Sequence, residues 1–153
     1  MSKSEKAILT ALCMVYKDNK ILIQNNIKGW RGLTFPGGHI EKEESFVQGI
    51  KREIFEETGL TIHNPMLCGI KQFQTAEDQR YIVILFKTNE FEGELKSSEE
   101  GEMLWMERSE LNENNTARGF LDTLKAFDDD SISELVYERH KKDDSFEWVL
   151  RFY

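Results

Sequence analysis

Apolar residues gather along this chain in short runs separated by polar punctuation, and two stretches carry helical spacing. Residues 6–16 are β-rich and lead into the turn-like cluster Lys17-Asp18-Asn19-Lys20. Residues 21–24 then return as a second strand, which predicts a hairpin. Residues 25–32 read as a loop ending in a short Leu33-Thr34-Phe35 strand before Pro36-Gly37-Gly38. Residues 45–58 read as a helix, with Glu44 or Ser45 at its start and Gly59 where a left-handed C-terminal cap falls. Further strands are predicted at about residues 66–74, 81–88 and 103–107. A second helix, about residues 116–127, carries Phe120, Leu121, Leu124 and Phe127 at helical spacing, and these four are expected in the core. The tail, residues 134–140 and 146–153, reads as a closing hairpin around Lys141-Lys142-Asp143-Asp144. Strands enclosing two helices predict an α+β sandwich.

Composition narrows the class. The 153 residues contain two prolines, Pro36 and Pro65, with no internal repeat or low-complexity linker, so one domain over residues 1–153 is expected. A hydrophobic share of 39% predicts a packed core rather than disorder. The formal charge of −8 argues against a protein that coats a nucleic acid polymer, which needs clustered lysine and arginine. An acidic protein still binds a nucleotide when a divalent cation sits between its carboxylates and the phosphates. Cys13 and Cys68 stand apart in apolar strand-like runs and are expected as reduced thiols. No signal-peptide apolar region opens the chain, and no apolar run approaches the ~20 residues that cross a bilayer. A cytoplasmic location without a membrane partner is expected.

The chemistry concentrates in residues 38–60. On a helix, Glu53, Glu56 and Glu57 project within an arc of roughly 100°. Three carboxylates so close repel one another, and a hard cation such as Mg²⁺ or Mn²⁺ relieves that repulsion with oxygen ligands. Gly49, one turn earlier, leaves room above the same face. Arg52 can orient a neighbouring carboxylate, with Glu44 its natural partner across the loop-helix junction. The Gly37-Gly38 pair permits a sharp turn and brings a carbonyl close. A solvated, glutamate-rich helix face is the plain alternative, but it has no need of Gly38, Arg52 and Gly59 in register.

The fixed points Gly38, Glu44, Arg52-Glu53-Ile54, Glu56-Glu57 and Gly59-Leu60 together resemble the Nudix box. This is the metal-binding strand-loop-helix signature of hydrolases that cleave nucleoside diphosphates linked to another group. Chance would produce the pattern on the order of once in 10^8 starting positions. The resemblance implies an α/β/α sandwich with a mixed β-sheet. It implies Mg²⁺, or Mn²⁺, as cofactor, held by Glu53, Glu56, Glu57 and the Gly38 carbonyl, with Glu44 and Arg52 as the supporting ion pair. It assigns the general base to Glu53 or to a later loop. In the acidic run of residues 97–102, Glu100 is the first choice as base or added metal ligand and Glu99 the second, a solvated loop being the alternative.

The wider resemblance, over residues 6–128, is to small MutT-like members that hydrolyse oxidised purine triphosphates such as 8-oxo-dGTP. The proline that ADP-ribose enzymes carry about fifteen residues beyond the box is absent from Gln74-Thr75-Ala76. Gln24-Asn25-Asn26 replaces the arginine-rich stretch of the coenzyme A subgroup, and also the arginine many members have there. The resemblance therefore implies a pyrophosphohydrolase of nucleotide-pool sanitation, releasing pyrophosphate from a nucleoside triphosphate. A nucleotide sugar, ADP-ribose or dinucleoside polyphosphate is the alternative substrate, and a non-catalytic nucleotide-binding module the alternative class. Lys28, Arg31, Lys71 and Arg80 are candidates for phosphate contact, as is His39. Trp30 and Phe35 suit a flat apolar wall for the base, and Asn115, with Asn114, a base-reading amide. Core packing for the aromatics, helix capping for the asparagines and a plain surface histidine are the alternatives. The tail hairpin suits either a homodimer interface or a last strand on its own sheet, so a monomer or a homodimer is expected.

Overall fold

The computed structural model describes residues 3–26 and 31–153. In chain order the first elements are β1 (Ala7–Lys17), β2 (Lys20–Asn26), β3 (Gly32–Thr34), β4 (Gly37–His39) and α1 (Phe46–Thr58). Next come β5 (Leu60–His63), β6 (Met66–Gln74), β7 (Arg80–Thr88), β8 (Glu90–Gly93) and β9 (Gly101–Glu107). A short 3₁₀ turn, α2 (Phe120–Asp128), β10 (Glu134–Lys142) and β11 (Ser145–Phe152) complete the chain.

Successive apolar residues in one strand need cover on both faces, and β1 receives it. Ala11, Cys13 and Val15 join one core with Ile50 and Ile54 of α1 and Ile84 and Phe86 of β7. Leu12, Met14 and Tyr16 face the other, built on Phe120, Ala126 and Phe127 of α2, with Phe35, Val83 and Leu85. The result is an α/β/α sandwich around a mixed sheet. Leu121 and Leu124 are only partly buried, but they pack against that second core.

β1 divides its pairing. Ala7 to Val15 run parallel to Arg80 to Thr88 of β7, beyond which lie β6, β10 and β11. On the other edge β1 pairs antiparallel with β4 through Ala11↔Gly38, and its last two residues turn back onto β2 through Tyr16↔Ile21 and Lys17↔Lys20. The predicted hairpin is therefore confined to one end of β1. Asp18 takes the left-handed φ of 54° that its turn requires, which an aspartate tolerates. β2 lies between β3 and β9, and β5 and β8 form a separate pair.

Helix α1 starts and stops where its side chains dictate. Ser45 accepts from the Gln48 amide and Gln48 accepts from the Ser45 amide, both at 3.0 Å, which closes a capping box. Gly59, at φ 78°, ends the helix in the left-handed cap and donates to the Phe55 carbonyl at 2.9 Å.

Several sequence expectations need correction. The predicted loop over residues 25–32 is shorter at both ends, because Asn25 and Asn26 pair with Leu33 and Gly32. Backbone pairing there tolerates polar side chains. β4, β5 and β8 were not predicted, since three or four residues are too few to show a period. The second helix begins at Phe120, not near residue 116, with Gly119 at φ 82° as its N-cap residue. Asn114 and Asn115 consequently do not cap it. Asn115 instead ties a turn together, donating to the Glu110 carbonyl at 2.7 Å and accepting from the Asn112 amide at 2.9 Å. The tail forms the expected hairpin, and β10 joins β6 through Leu135↔Lys71, so the last strands extend the sheet. Cys13 and Cys68 are free, and burial pushes the Cys13 thiol far up. No helix among the described residues is long and apolar enough to cross a membrane.

Candidate active site

Arg52 organises the start of the site. Its Nε and Nη2 donate to the two Glu44 oxygens at 3.1 and 2.7 Å, and Nη2 also reaches the His39 carbonyl at 2.9 Å. Its Nη1 donates to Glu53 Oε1 at 2.8 Å and to Glu56 Oε2 at 3.2 Å. One planar guanidinium thus joins β4, the following loop and two turns of α1. The Arg52 hydrogen bonds, with the Glu41 amide at 2.6 Å, hold the Glu44 carboxyl below the usual carboxylate range. Gly49 does not open space above Glu53 as the sequence suggested. A side chain there would strike Ile40 and Glu44, so this glycine lets Glu44 close on Arg52.

Gly38 lies against Glu53, and a Cβ at that position would collide with the Glu53 carboxylate. Glu57 faces the adjoining part of the turn and accepts from the Gly37 amide at 3.1 Å. Its side chain is buried, at 7% exposure, and faces the Glu100 carboxyl from the loop before β9. Burial first, and then the Glu100 carboxyl, push the Glu57 pKa well above the ordinary 4.5. Among the described residues no three acidic, imidazole or thiol side chains already stand in coordinating geometry. The donor set nonetheless fits a hard cation. It is all oxygen, and the buried Glu57 carboxyl, crowded by Glu100, favours its protonated form where a cation would replace the proton.

That crowding has a sign. The folded chain holds a proton on Glu57 that the unfolded chain has released above about pH 4.5, so metal-free stability falls as pH rises through this window. Below the unfolded value both states are protonated and the effect disappears. Thermal melts in chelator are expected to show a falling Tm from about pH 5 to about pH 8, with Mg²⁺ restoring most at the upper end. A Tm gain from Mg²⁺ that is the same at both ends would mean Glu57 ionises freely.

These groups stand at one end of a cleft of about 740 Å³ on the α2 side of the sheet. Its acidic end carries Glu57, Glu99 and Glu100 beside Gly37 and Gly38, with His39 on the rim. Phe35 and Phe120, stacked with centroids 4.3 Å apart, form an apolar wall. Gln24, Asn26 and Thr34 line one flank, while Lys71, Arg118 and Thr123 line the far end. Of the residues suggested by sequence, Phe35, Gly38, His39, Glu57, Lys71, Glu99 and Glu100 line the cleft, with Lys71 away from the carboxylates, and Glu44, Arg52, Glu53 and Glu56 adjoin its acidic end. Arg31 and Asn115 are not among the lining residues, and Trp30 and Lys28 lie outside the described residues. Arg80 is occupied by Glu5 and Gln72. Thr10, Tyr81, Arg118 and Thr123 were not anticipated, because strand pairing and the position of α2, not a local motif, bring them to the cleft.

An α/β/α sandwich that sets a glycine turn and an arginine-clamped carboxylate helix beside one cleft defines the class. Residues 6–126 match the family model described as the NUDIX domain, and the chain belongs to that family. Among its relatives, the uncharacterized Nudix hydrolase YvcI of Bacillus subtilis (strain 168) is 30% identical over 105 residues, covering 65% of each chain. Phosphatase NudJ of Escherichia coli (strain K12) is 28% identical over 82 residues, 53% of this chain and 54% of that protein. The chain therefore spans less than two thirds of either relative. Among solved structures, the mMutator MutT protein from Bacillus halodurans superposes with a TM-score of 0.75 at 31% identity, over 95% of this chain and 97% of that one.

Proposed function

We propose that this protein is a divalent-metal-dependent pyrophosphohydrolase that converts a nucleoside triphosphate, of the oxidised purine type exemplified by 8-oxo-dGTP, to a monophosphate and pyrophosphate. The observation that carries the reading is the meeting of Glu57 with Glu100 beside the Gly37-Gly38 turn, at the acidic end of a cleft with an aromatic wall. A cation such as Mg²⁺, held by Glu53, Glu56, Glu57, Glu100 and the Gly38 carbonyl, would supply charge neutralisation at the phosphates and acidify a water. Arg52 fixes the direction of Glu53 and Glu56, so the carboxylates need little reorganisation when substrate arrives. Glu100, on a loop facing Glu57, is the first choice to accept the proton of the attacking water, with Glu53 the second. Phe35 and Phe120 exclude water from the sugar and base, and Gln24 and Asn26 supply amides along the flank.

No carboxylate of the box is missing, which favours catalysis over a binding-only role. The relative named a phosphatase supports a second reading, release of orthophosphate instead of pyrophosphate. One assay separates them. 8-oxo-dGTP, dGTP, ADP-ribose and diadenosine tetraphosphate are incubated with Mg²⁺ while pyrophosphate and phosphate are followed separately. Preferred turnover of 8-oxo-dGTP with pyrophosphate as product is expected; orthophosphate from every triphosphate would overturn the first reading.

A further inference from the structure

We propose that the far end of the cleft is a subsite for a carbonyl oxygen, in which Lys71 and Arg118 select a 6-oxopurine over a 6-aminopurine. This rests on the reading of the substrate as a nucleoside triphosphate. It adds the residues that read the base, and they are not the asparagine suggested by sequence.

The sheet register fixes the distance. His39 pairs with Thr10, Thr10 with Val83, and Val83 with Lys71, which puts Lys71 three strand spacings, roughly 14 Å, from the glycine turn. A nucleotide with its phosphates at the carboxylates therefore brings its base toward Lys71. The cleft is polarised to match. Glu57, Glu99 and Glu100 line one end, Lys71 and Arg118 the other. Asp122, whose charge acts on Lys71 without an ion pair between them among the described residues, accepts from the Tyr137 hydroxyl at 3.1 Å.

Lys71 is held, yet poorly satisfied. An ammonium has three donors and no acceptor. Within the described structure one of them reaches Thr123 Oγ1 at 3.4 Å, and the Tyr137 ring lies 5.5 Å away. The Thr123 hydroxyl in turn donates to the Gly119 carbonyl at 2.9 Å. Gly119 leaves the space this arrangement needs, since a Cβ there would stand 2.8 Å from Tyr137 Oη and 3.3 Å from Lys71 Nζ. Burial also holds the ammonium below the usual lysine range, a penalty that a ligand acceptor relieves. Arg118 makes no hydrogen bond or ion pair among the described residues and borders both the cleft and a chamber of about 230 Å³ behind it. Two donor-only groups match the O6 and N7 acceptors of a 6-oxopurine. The amino group of a 6-aminopurine would instead turn N–H against N–H.

Tyr137 and Trp148, which complete the chamber with Phe73, come from β10 and β11. Both lie beyond residue 126, where the family match ends. The chamber that shares Lys71 and Arg118 with the selecting end of the cleft is thus partly built from the tail hairpin.

The test compares wild type with Lys71→Met, which keeps the shape and removes the donor. Lys71→Arg keeps the charge and serves as the conservative variant. kcat and KM are measured for dGTP and dATP, and binding of dGMP and dAMP by calorimetry. Wild type is expected to favour guanine by about 10- to 100-fold. Lys71→Met should bring that ratio toward one through a rise in KM for dGTP that exceeds any change for dATP, and Lys71→Arg should retain part of the preference. A wild type indifferent between the bases, or a Lys71→Met enzyme losing both substrates by one factor, overturns the proposal. Failure to turn over either triphosphate would instead defeat the reaction assigned above. The dGMP-to-dAMP binding ratio then decides the subsite, and equal or absent binding overturns it.

Discussion

Glu57→Gln is expected to reduce turnover by more than the roughly 10- to 100-fold typical of a residue that merely supports a metal ligand. The reason is the position of this carboxyl. It is the most buried of the three helix glutamates and the one that meets both the glycine turn and Glu100. Glutamine has the same shape and can still accept from the Gly37 amide, so the turn should survive. What it lacks is the negative charge a cation requires. Removing a carboxyl whose burial opposes ionisation should leave the metal-free Tm unchanged or higher near neutral pH. Lost activity together with a maintained Tm, and with no further Tm gain from Mg²⁺, would identify a ligand. An enzyme that keeps most of its kcat would show that the chemistry does not use Glu57.

The second large effect is expected at Arg52. Arg52→Ala releases Glu44, Glu53, Glu56 and the His39 carbonyl together, and activity should fall about 10- to 100-fold. Arg52→Lys should recover little, because a point charge cannot serve Glu44 through two nitrogens while a third reaches Glu53. A cycle with Glu44→Gln checks the assignment. If Arg52 acts by way of Glu44, the double variant will be hardly worse than Arg52→Ala alone. Fully multiplicative losses in kcat would mean that the two residues work independently.

The metal-binding half of the site was legible in sequence because its geometry is local. Glu53, Glu56 and Glu57 share a helix face by spacing alone, Gly59 marks the end of that helix, and Arg52 is eight residues from Glu44. The far half was legible only in part. Lys71 stands out in sequence as a basic residue, but as a candidate for the phosphates; that it meets Arg118 and Tyr137 three strands away from the glycine turn follows only from strand register and the placement of α2. Asn115 shows the same limit from the other side. Its position near α2 suited a base reader, but its amide is spent within its own turn. The strands most easily read, β6 and β7, are long enough to show an apolar pattern, whereas β4 has three residues and two of them are glycine.

The divided pairing of β1 also bears on how the molecule forms. Its first nine residues cannot find their parallel partner until the segment through Thr88 has left the ribosome. The β1–β2 turn and helix α1 can form early from local contacts, but they would then stand on a strand with one edge open. During synthesis the carboxylate helix should accordingly exist before the sheet that buries its apolar face. The arrival of β7 then closes the open edge of β1, the strand to which Gly38 is paired through Ala11.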